Sequence, residues 1–368
     1  MYYKRKAPDV VLFFTVIALL TIGLVMVFSS SEITSYARHH GDAFYYLKKQ
    51  LLWATLGLTV MTFLMNFDYW KLRKFVVSGL VLSFILLIAV LVPGIGKTVN
   101  GAQRWINLGF FSFQPSEIIK LSLVLFMAYG LSVQKDKLKS FKQGLLPFLA
   151  VLGLACGLIL KQPDLGTAMA AAGTVFVMLF AAGASYNHLG SLGATGLGAV
   201  VLAILFEPYR LKRIFAFLDP FADPKGAGFH IIQSLYAIGS GGIFGLGLGQ
   251  SRQKFFYLPE QHTDFIFAII GEELGFLGGS LVILLFLLFV WRGLKIAISS
   301  PDPFASLLAV GLTSMIILQA GLNLGVVTGS LPVTGIPLPF ISFGGTSLVF
   351  TLIGVGVLLN ISRYTSDK

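Results

Sequence analysis

Five carboxylates and one lysine fall inside or at the edges of long apolar runs, where ionisable groups are costly and tend to mark function. Glu117 and Lys120 share the segment QPSEIIKL, three residues apart, a spacing that puts them on one face of a helix. Asp164 sits in KQPDLG and Asp264 in EQHTDFIF, with Glu272 and Glu273 two turns further on. A carboxylate held where water meets lipid can take the proton of an attacking hydroxyl. Each group also has a structural reading. Glu117 follows Pro115 in a first turn, where an acid complements the helix dipole. Lys120 can neutralise Glu117 or Asp164 as an ion pair. Asp264 can cap a helix. Glu272 and Glu273 can hydrogen-bond neighbouring helices, and being adjacent they do not share a face.

A second set of residues could hold an anion. In EPYRLKRIFAFLDPF, Arg210, Lys212 and Arg213 alternate with Leu211, Ile214, Phe215, Phe217 and Leu218. Such a segment lies in a membrane interface with cations at phosphate depth, either as a lipid anchor or as a site for a phosphate-bearing lipid. Arg104 followed by Trp105 offers another cation beside an aromatic, although Trp105 alone also suits an interfacial belt. The stretch GSGGIFGLGLG, residues 239–249, lacks the strand–turn–helix context and the lysine-serine/threonine ending of a nucleotide loop. It reads as a flexible loop or as close backbone packing. His262 is either an acid/base beside Asp264 or structural. The histidines and carboxylates show no metal-ligand spacing, so no metal site is assigned to the chain, and no serine–histidine–aspartate order is legible.

The elements that position these residues are transmembrane helices. Only 12% of the 368 residues are charged and 56% are hydrophobic, with a mean hydropathy of +0.84; a soluble domain carries about 25% charge. A membrane helix needs about 20 apolar residues, and such runs recur at 10–30, 48–65, 75–92, 115–133, 145–160, 166–183, 189–206, 264–290, 305–328 and 346–362. The chain is therefore expected to be an all-α integral membrane protein of about ten helices forming one polytopic domain over 1–368. The first run is too long for a cleaved signal peptide and is kept as a helix. Ten spans put both termini on one side. Fourteen cations (Lys4, Arg5, Lys6, Lys71, Arg73, Lys74, Lys135, Lys137, Lys139, Lys142, Arg292, Lys295, Arg363 and Lys368) fall in the segments on that side, against six in the short segments opposite. The positive-inside rule makes the termini cytoplasmic. The long loop at about 207–263, between helices seven and eight, is then extracytoplasmic, as are irregular loops at 93–114 and 329–345. Loss of the glycine-rich span 189–206 would reverse that orientation. The net charge of +11 fits basic cytoplasmic loops and anionic membrane lipids; nothing resembles a nucleic-acid module. Cys156 stands alone, so there is no disulfide framework.

The segments QPSEIIKL, KQPDLGTA, GLGLGQSRQKFFYLPEQHTDFIFAIIGEELG and PVTGIPLPFISFGGTSL together resemble the SEDS family (shape, elongation, division and sporulation) nearly end to end. NGAQRWI and SRQKFFYLPEQHTDFIFAI look more like its division and sporulation branch than its rod-elongation branch. The resemblance implies a peptidoglycan glycosyltransferase that polymerises lipid II into glycan strands, working with a class B penicillin-binding protein in the bacterial cytoplasmic membrane. It maps the family's essential outer-face aspartate onto Asp264. It maps motif charges onto Glu117, Lys120 and Asp164, an outer-loop pair onto Arg104 and Trp105, and a basic segment onto Arg210. Lys120 with Asp164 resembles the family's intramembrane ion pair. On this reading Arg104, Trp105, Arg210, Lys212 and Arg213 bind substrate, and Glu272 and Glu273 are supporting charges. A divalent cation, magnesium or manganese, is expected at the substrate pyrophosphate, with no organic cofactor. Other readings are a lipid II flippase and a scaffold that recruits the penicillin-binding protein.

Overall fold

The computed structural model describes residues 5–365 apart from 100, 108, 110, 135–137 and 139. Lys4, Lys135, Lys137, Lys139 and Lys368 of the orientation argument lie outside the described residues. Each of the ten expected segments is a helix: α1 (Val10–Arg38), α2 (Tyr45–Asn66), α3 (Val76–Ala89), α4 (Pro115–Val133), α5 (Leu146–Leu160), α6 (Leu165–Ala181), α7 (Tyr186–Leu205), α10 (Ile266–Ile298), α11 (Pro303–Val327) and α12 (Gly345–Ser362). Among the described residues eight helical stretches are long and apolar enough to cross a membrane, α3 and α5 together with the short helical turns that precede them. The apolar α6 is shorter, at 17 residues, and α2 is the remaining one. Burial ranks them. In α12 78% of the spanning stretch is buried and in α11 67%, against 6% in α7. So α11 and α12 form the centre, and α7 hangs on the edge against α6 and α8.

Two of the three loops hold regular secondary structure. Residues 96–113 form an antiparallel sheet of β1 (Gly96–Val99), β2 (Ala102–Asn107) and β3 (Ser112–Phe113) in that order, with Lys97 opposite Trp105 and Ile106 opposite Phe113. Within β2, Ile106 is buried while its neighbour Asn107 is exposed, as successive strand residues face opposite sides. The loop at 207–263 holds the strongly amphipathic α8 (Pro208–Leu218) and α9 (Phe229–Gly241). Pro208 opens α8 at a first-turn position, where its missing N–H costs nothing.

The glycine-rich stretch after α9 packs by its backbone. α10 is broken at Gly275, whose φ of 66° and ψ of −164° are not helical. The N–H groups of Leu246 and Gly247 donate to the carbonyls of Glu272 and Glu273 at 2.9 and 3.0 Å, and Phe276 N–H donates to Gly242 O at 2.8 Å. The bonds that the break would orphan are thereby replaced. A Cβ on Gly245 would lie 2.2 Å from Glu273 O, and one on Gly275 2.2 Å from Gly245 N.

Charged residues collect at two opposite ends. At one, Arg5 pairs with Asp68, Arg292 with Asp9, and Arg73 with Asp302 at 3.0 Å. These three cations are among the described members of the segments assigned to the terminal side. At the other lie Arg104, Asp164, Arg210, Arg213 and Asp264. Gly275→Ala and Gly245→Ala are expected to destabilise the protein by about 1–3 kcal/mol each, from a Cβ at positive φ plus backbone collision. Thermal unfolding in detergent checks this, with Gly153→Ala, in open space, near neutral.

Candidate active site

Asp264 lies in the turn before α10, which begins at Ile266 with Phe265 as its cap. It is therefore no helix cap: among the described residues its carboxylate makes no hydrogen bond and no ion pair. Its main chain is fixed instead. Asn323 on α11 donates to both Asp264 O and Ile336 O at 2.7 Å, and Ser342 Oγ donates to Thr263 O at 2.6 Å. Phe343 N–H donates to His262 O at 2.9 Å. The 329–345 loop is thus bound to the turn that carries the aspartate. Gly335, with φ of 77°, approaches so closely that a Cβ there would lie 3.6 Å from Asp264 Oδ2.

The carboxylate faces a cavity of about 130 Å³ whose wall includes Arg104, Trp105, Gln114, Glu117, Lys120, Asp164 and Gln319. Every cation in that wall is already neutralised. Lys120 Nζ is 3.0 Å from Glu117 and donates to Gln319 Oε1 at 2.7 Å, with both charged partners buried. Arg104 Nη1 is 3.7 Å from Asp164 Oδ2, and the same guanidinium donates to the carbonyls of Gln162, at 2.9 Å, and Pro163. The resemblance paired Lys120 with Asp164; the described residues pair Lys120 with Glu117 and Asp164 with Arg104. The three-residue spacing on α4 explains the first. Asp164 is instead the cap of α6, accepting from Thr167 N–H at 3.0 Å.

Asp264 therefore bears the cavity's one uncompensated charge among the described residues. Enclosure pushes its carboxyl up to about 7, and the negative field of Glu260 adds to the rise, while Arg104 and Arg213 pull the other way. A carboxylate so placed is half protonated near neutral pH, the condition for a general base. His262, beside it in sequence, is pushed down to about 4 by burial; packed on Tyr46 and Phe343, it is neutral and structural.

A second, more apolar cavity of about 110 Å³ adjoins the first, lined by Leu165, Met169, Val200, Ile204, Ile214 and Leu322, with Tyr209, Arg210 and Arg213 in its wall. Pro163 and Thr334 face this cavity while Asp164 and Gly335 face the first, so the two share a thin ridge. Arg210 is buried and donates to Ala203 O at 2.7 Å and to Tyr209 Oη at 2.8 Å. Arg213 donates to Val333 O at 3.0 Å, and Lys212 is exposed. Thus Arg104 and Trp105 share a cavity with Asp264, whereas Arg210 and Arg213 belong to its neighbour.

Glu272 and Glu273 lie away from both cavities. Glu272 accepts from Ser251 Oγ at 2.5 Å and Arg252 N–H at 2.9 Å. Glu273 accepts from Ser29 Oγ at 2.6 Å and lies 3.6 Å from the buried Lys254. Facing different partners, they pin the 251–254 turn to α10 and α1. Gln319 and Asn323 were not anticipated. Their signal was two amides four residues apart in the apolar run of α11, which places both on one face.

The fold and this charged cavity at one end define a polytopic membrane protein of a known type. The profile of the FtsW/RodA/SpoVE family, described as cell cycle proteins, matches residues 10–367, and the chain belongs to that family, the SEDS family. It is 51% identical to stage V sporulation protein E of Bacillus subtilis over 99% of this chain and 100% of that protein. It is 46% identical to a probable peptidoglycan glycosyltransferase FtsW of Trichlorobacter lovleyi, covering 98% and 94%. Among solved structures it matches a chain from a peptidoglycan synthase complex that coordinates polymerization and crosslinking (32% identity, TM-score 0.80, 97% and 98% covered). It also matches the rod shape determining protein RodA of Thermus thermophilus (30%, TM-score 0.73, 98% and 99% covered).

Asn323→Leu removes the donor shared by two buried carbonyls and is expected to cost about 1–3 kcal/mol. Thermal unfolding measures it, and limited proteolysis should show faster cleavage within 329–345.

Proposed function

We propose that the chain is a peptidoglycan glycosyltransferase that polymerises lipid II, with Asp264 as general base. One observation carries the reading: an unpaired, half-buried carboxylate facing a cavity in which every cation is spent on another anion. Lipid II is a disaccharide-pentapeptide joined through pyrophosphate to a polyprenyl chain. A sugar hydroxyl of one molecule attacks the anomeric carbon of the lipid-linked glycan. The new glycosidic bond forms as the bond to pyrophosphate breaks, and the hydroxyl proton passes to Asp264. A single displacement inverts the anomeric centre.

Charge supports a division of the substrate. A diphosphate would be repelled by the net negative cavity, whereas the adjoining groove offers Arg210, Arg213 and, outside it, Lys212. The polyprenyl tail suits the apolar walls of that groove. Arg104 and Trp105 stay on the wall the sugar faces, Arg104 also holding the 162–164 turn in place. Among the described residues no three His, Cys, Asp or Glu converge to hold a metal ion. A magnesium or manganese ion would therefore arrive with the diphosphate, and no step above depends on it.

The positive-inside distribution supports ten spans in the bacterial cytoplasmic membrane with both termini in the cytoplasm and Asp264 on the outer face. Likeness to a chain solved within a peptidoglycan synthase complex supports a class B penicillin-binding protein as partner. Higher identity to the sporulation and FtsW relatives than to RodA supports service in division or spore cortex synthesis.

With purified protein and its partner, Asp264→Asn is expected to lower lipid II polymerisation by about a hundred-fold or more while inserting and melting as wild type; near-normal rates would refute the assignment. Because the base must be deprotonated, kcat/KM should rise with pH through a midpoint of about 7. Glu260→Gln, by removing a neighbouring negative field, should move that limb to lower pH. Arg213→Ala should raise KM for lipid II about ten-fold, the loss of one charge-assisted contact. A vesicle translocation assay separates polymerase from flippase, since flipping needs no glycosyl base.

A further inference from the structure

We infer that the corner joining α1 to α2 carries a binding ledge for the growing glycan strand, formed by Phe343, Tyr46, Tyr45 and His39. The inference rests on the polymerase reading and extends it from the reacting sugar to the sugars already joined.

Phe343 lines the Asp264 cavity. Its ring meets that of Tyr46 edge-on at 5.1 Å, Tyr46 meets Tyr45 at 5.4 Å and His39 at 5.4 Å, and His39 lies stacked on Tyr45 at 3.5 Å. A continuous series of rings thus runs from the cavity wall to the surface at the end of the bundle where the reacting carboxylate lies. The corner that bears them is fixed: Ser35 Oγ donates to Asp42 O at 2.6 Å, Asp42 Oδ1 accepts from Phe44 N–H at 3.0 Å, and Lys48 pairs with Asp42 at 2.9 Å. Buried His262 backs Tyr46 at 4.5 Å. Fixed aromatic rings are suited to the flat C–H faces of sugars, since they add contact area at little entropic cost. The exposed cations Arg38 and Lys49 flank the series, Lys49 Nζ lying 4.3 Å from the Tyr45 ring centre. They are placed to meet carboxylates of peptide stems.

Connectivity of the substrate gives the direction. In a lipid-linked strand the pyrophosphate and the next sugar leave the terminal ring from opposite sides. If the diphosphate sits in the groove of Arg210 and Arg213, against α6, α7 and α8, the strand leaves on the other side. That side is occupied by Phe343 and the α1–α2 corner, whose second helix, α2, packs on α12. An interfacial belt is the ordinary explanation for exposed aromatics, and Phe44, stacked on Phe28, fits it. The series from Phe343 to His39 differs because it opens into the cavity.

The test uses full-length protein in nanodiscs carrying Asp264→Asn, so that nothing turns over, and lipid-free muramidase fragments of peptidoglycan: a disaccharide, a tetrasaccharide and an octasaccharide with their stem peptides. Affinity should rise with length and fall about three- to ten-fold in Tyr45→Ala and His39→Ala, the loss of one ring contact. Tyr45→Phe should bind as the parent does, as should Phe63→Ala, which removes an exposed ring elsewhere on α2. In the active protein with its partner, Tyr45→Ala should shorten the glycan product. Absence of binding, affinity independent of length, or equal loss in Tyr45→Phe or Phe63→Ala would overturn the ledge. Polymerisation retained by Asp264→Asn would overturn the base alone and leave the binding result standing.

Discussion

Holding one carboxylate half-buried on a cavity wall without pairing it to a cation is the constraint around which this end of the bundle is built. Burying such a group is costly, and two cations lie in the same cavity wall that could have relieved the cost. Neither pairs with the carboxylate, because Lys120 is committed to Glu117 and Gln319, and Arg104 to Asp164 and the 162–163 carbonyls. The arrangement persists because the backbone on either side is over-determined. Asn323 ties Asp264 to Ile336, Ser342 ties Thr263 to the same loop, and that loop rests on α11 and α12, the most buried helices. The rise in proton affinity follows from the packing.

The same distribution of charge separates two tasks that a glycosyl transfer from a diphosphate must combine. A base needs low positive field to stay basic, while a diphosphate needs cations. One cavity holding both would blunt the base. Here a ridge formed by Pro163–Asp164 and Thr334–Gly335 divides them. Gly335, without a side chain, leaves space beside Asp264 Oδ2, where a Cβ would lie 3.6 Å away.

Most of the helical plan was legible because membrane helices announce themselves by length and apolarity: all ten segments are helical, and among the described residues eight helical stretches are long and apolar enough to cross a membrane. What escaped was local. The β1–β3 sheet lies in a glycine-rich loop whose six-residue middle strand, AQRWIN, does not alternate polar and apolar residues. The start of α10 was read two residues early because Asp264 looks like a cap, yet nothing within the helix accepts its help. Intramembrane charges could be enumerated from sequence but not paired: Lys120 could reach Glu117 by spacing, whereas a link to Asp164 depended on how α4 and α6 meet. Gln319 and Asn323 carry no charge and passed unnoticed, although they hold the loop that encloses the site. Glu272 and Glu273, being adjacent, meet different partners: Glu272 takes Ser251 Oγ and Arg252 N–H, Glu273 takes Ser29 Oγ and lies near Lys254.

The strand-like union of residues 242–247 with the interruption of α10 has a consequence for how this region tolerates change. It is made by main-chain atoms, so the outward side chains there, Ile243, Phe244 and Leu248 among them, are released from any part in holding it. They can drift to whatever the surrounding lipid accepts. The residues with no side chain at all, Gly241, Gly245 and Gly275 among them, bear the requirement, and it is a requirement for absence: substitution tolerance here should track empty space more closely than hydrophobicity.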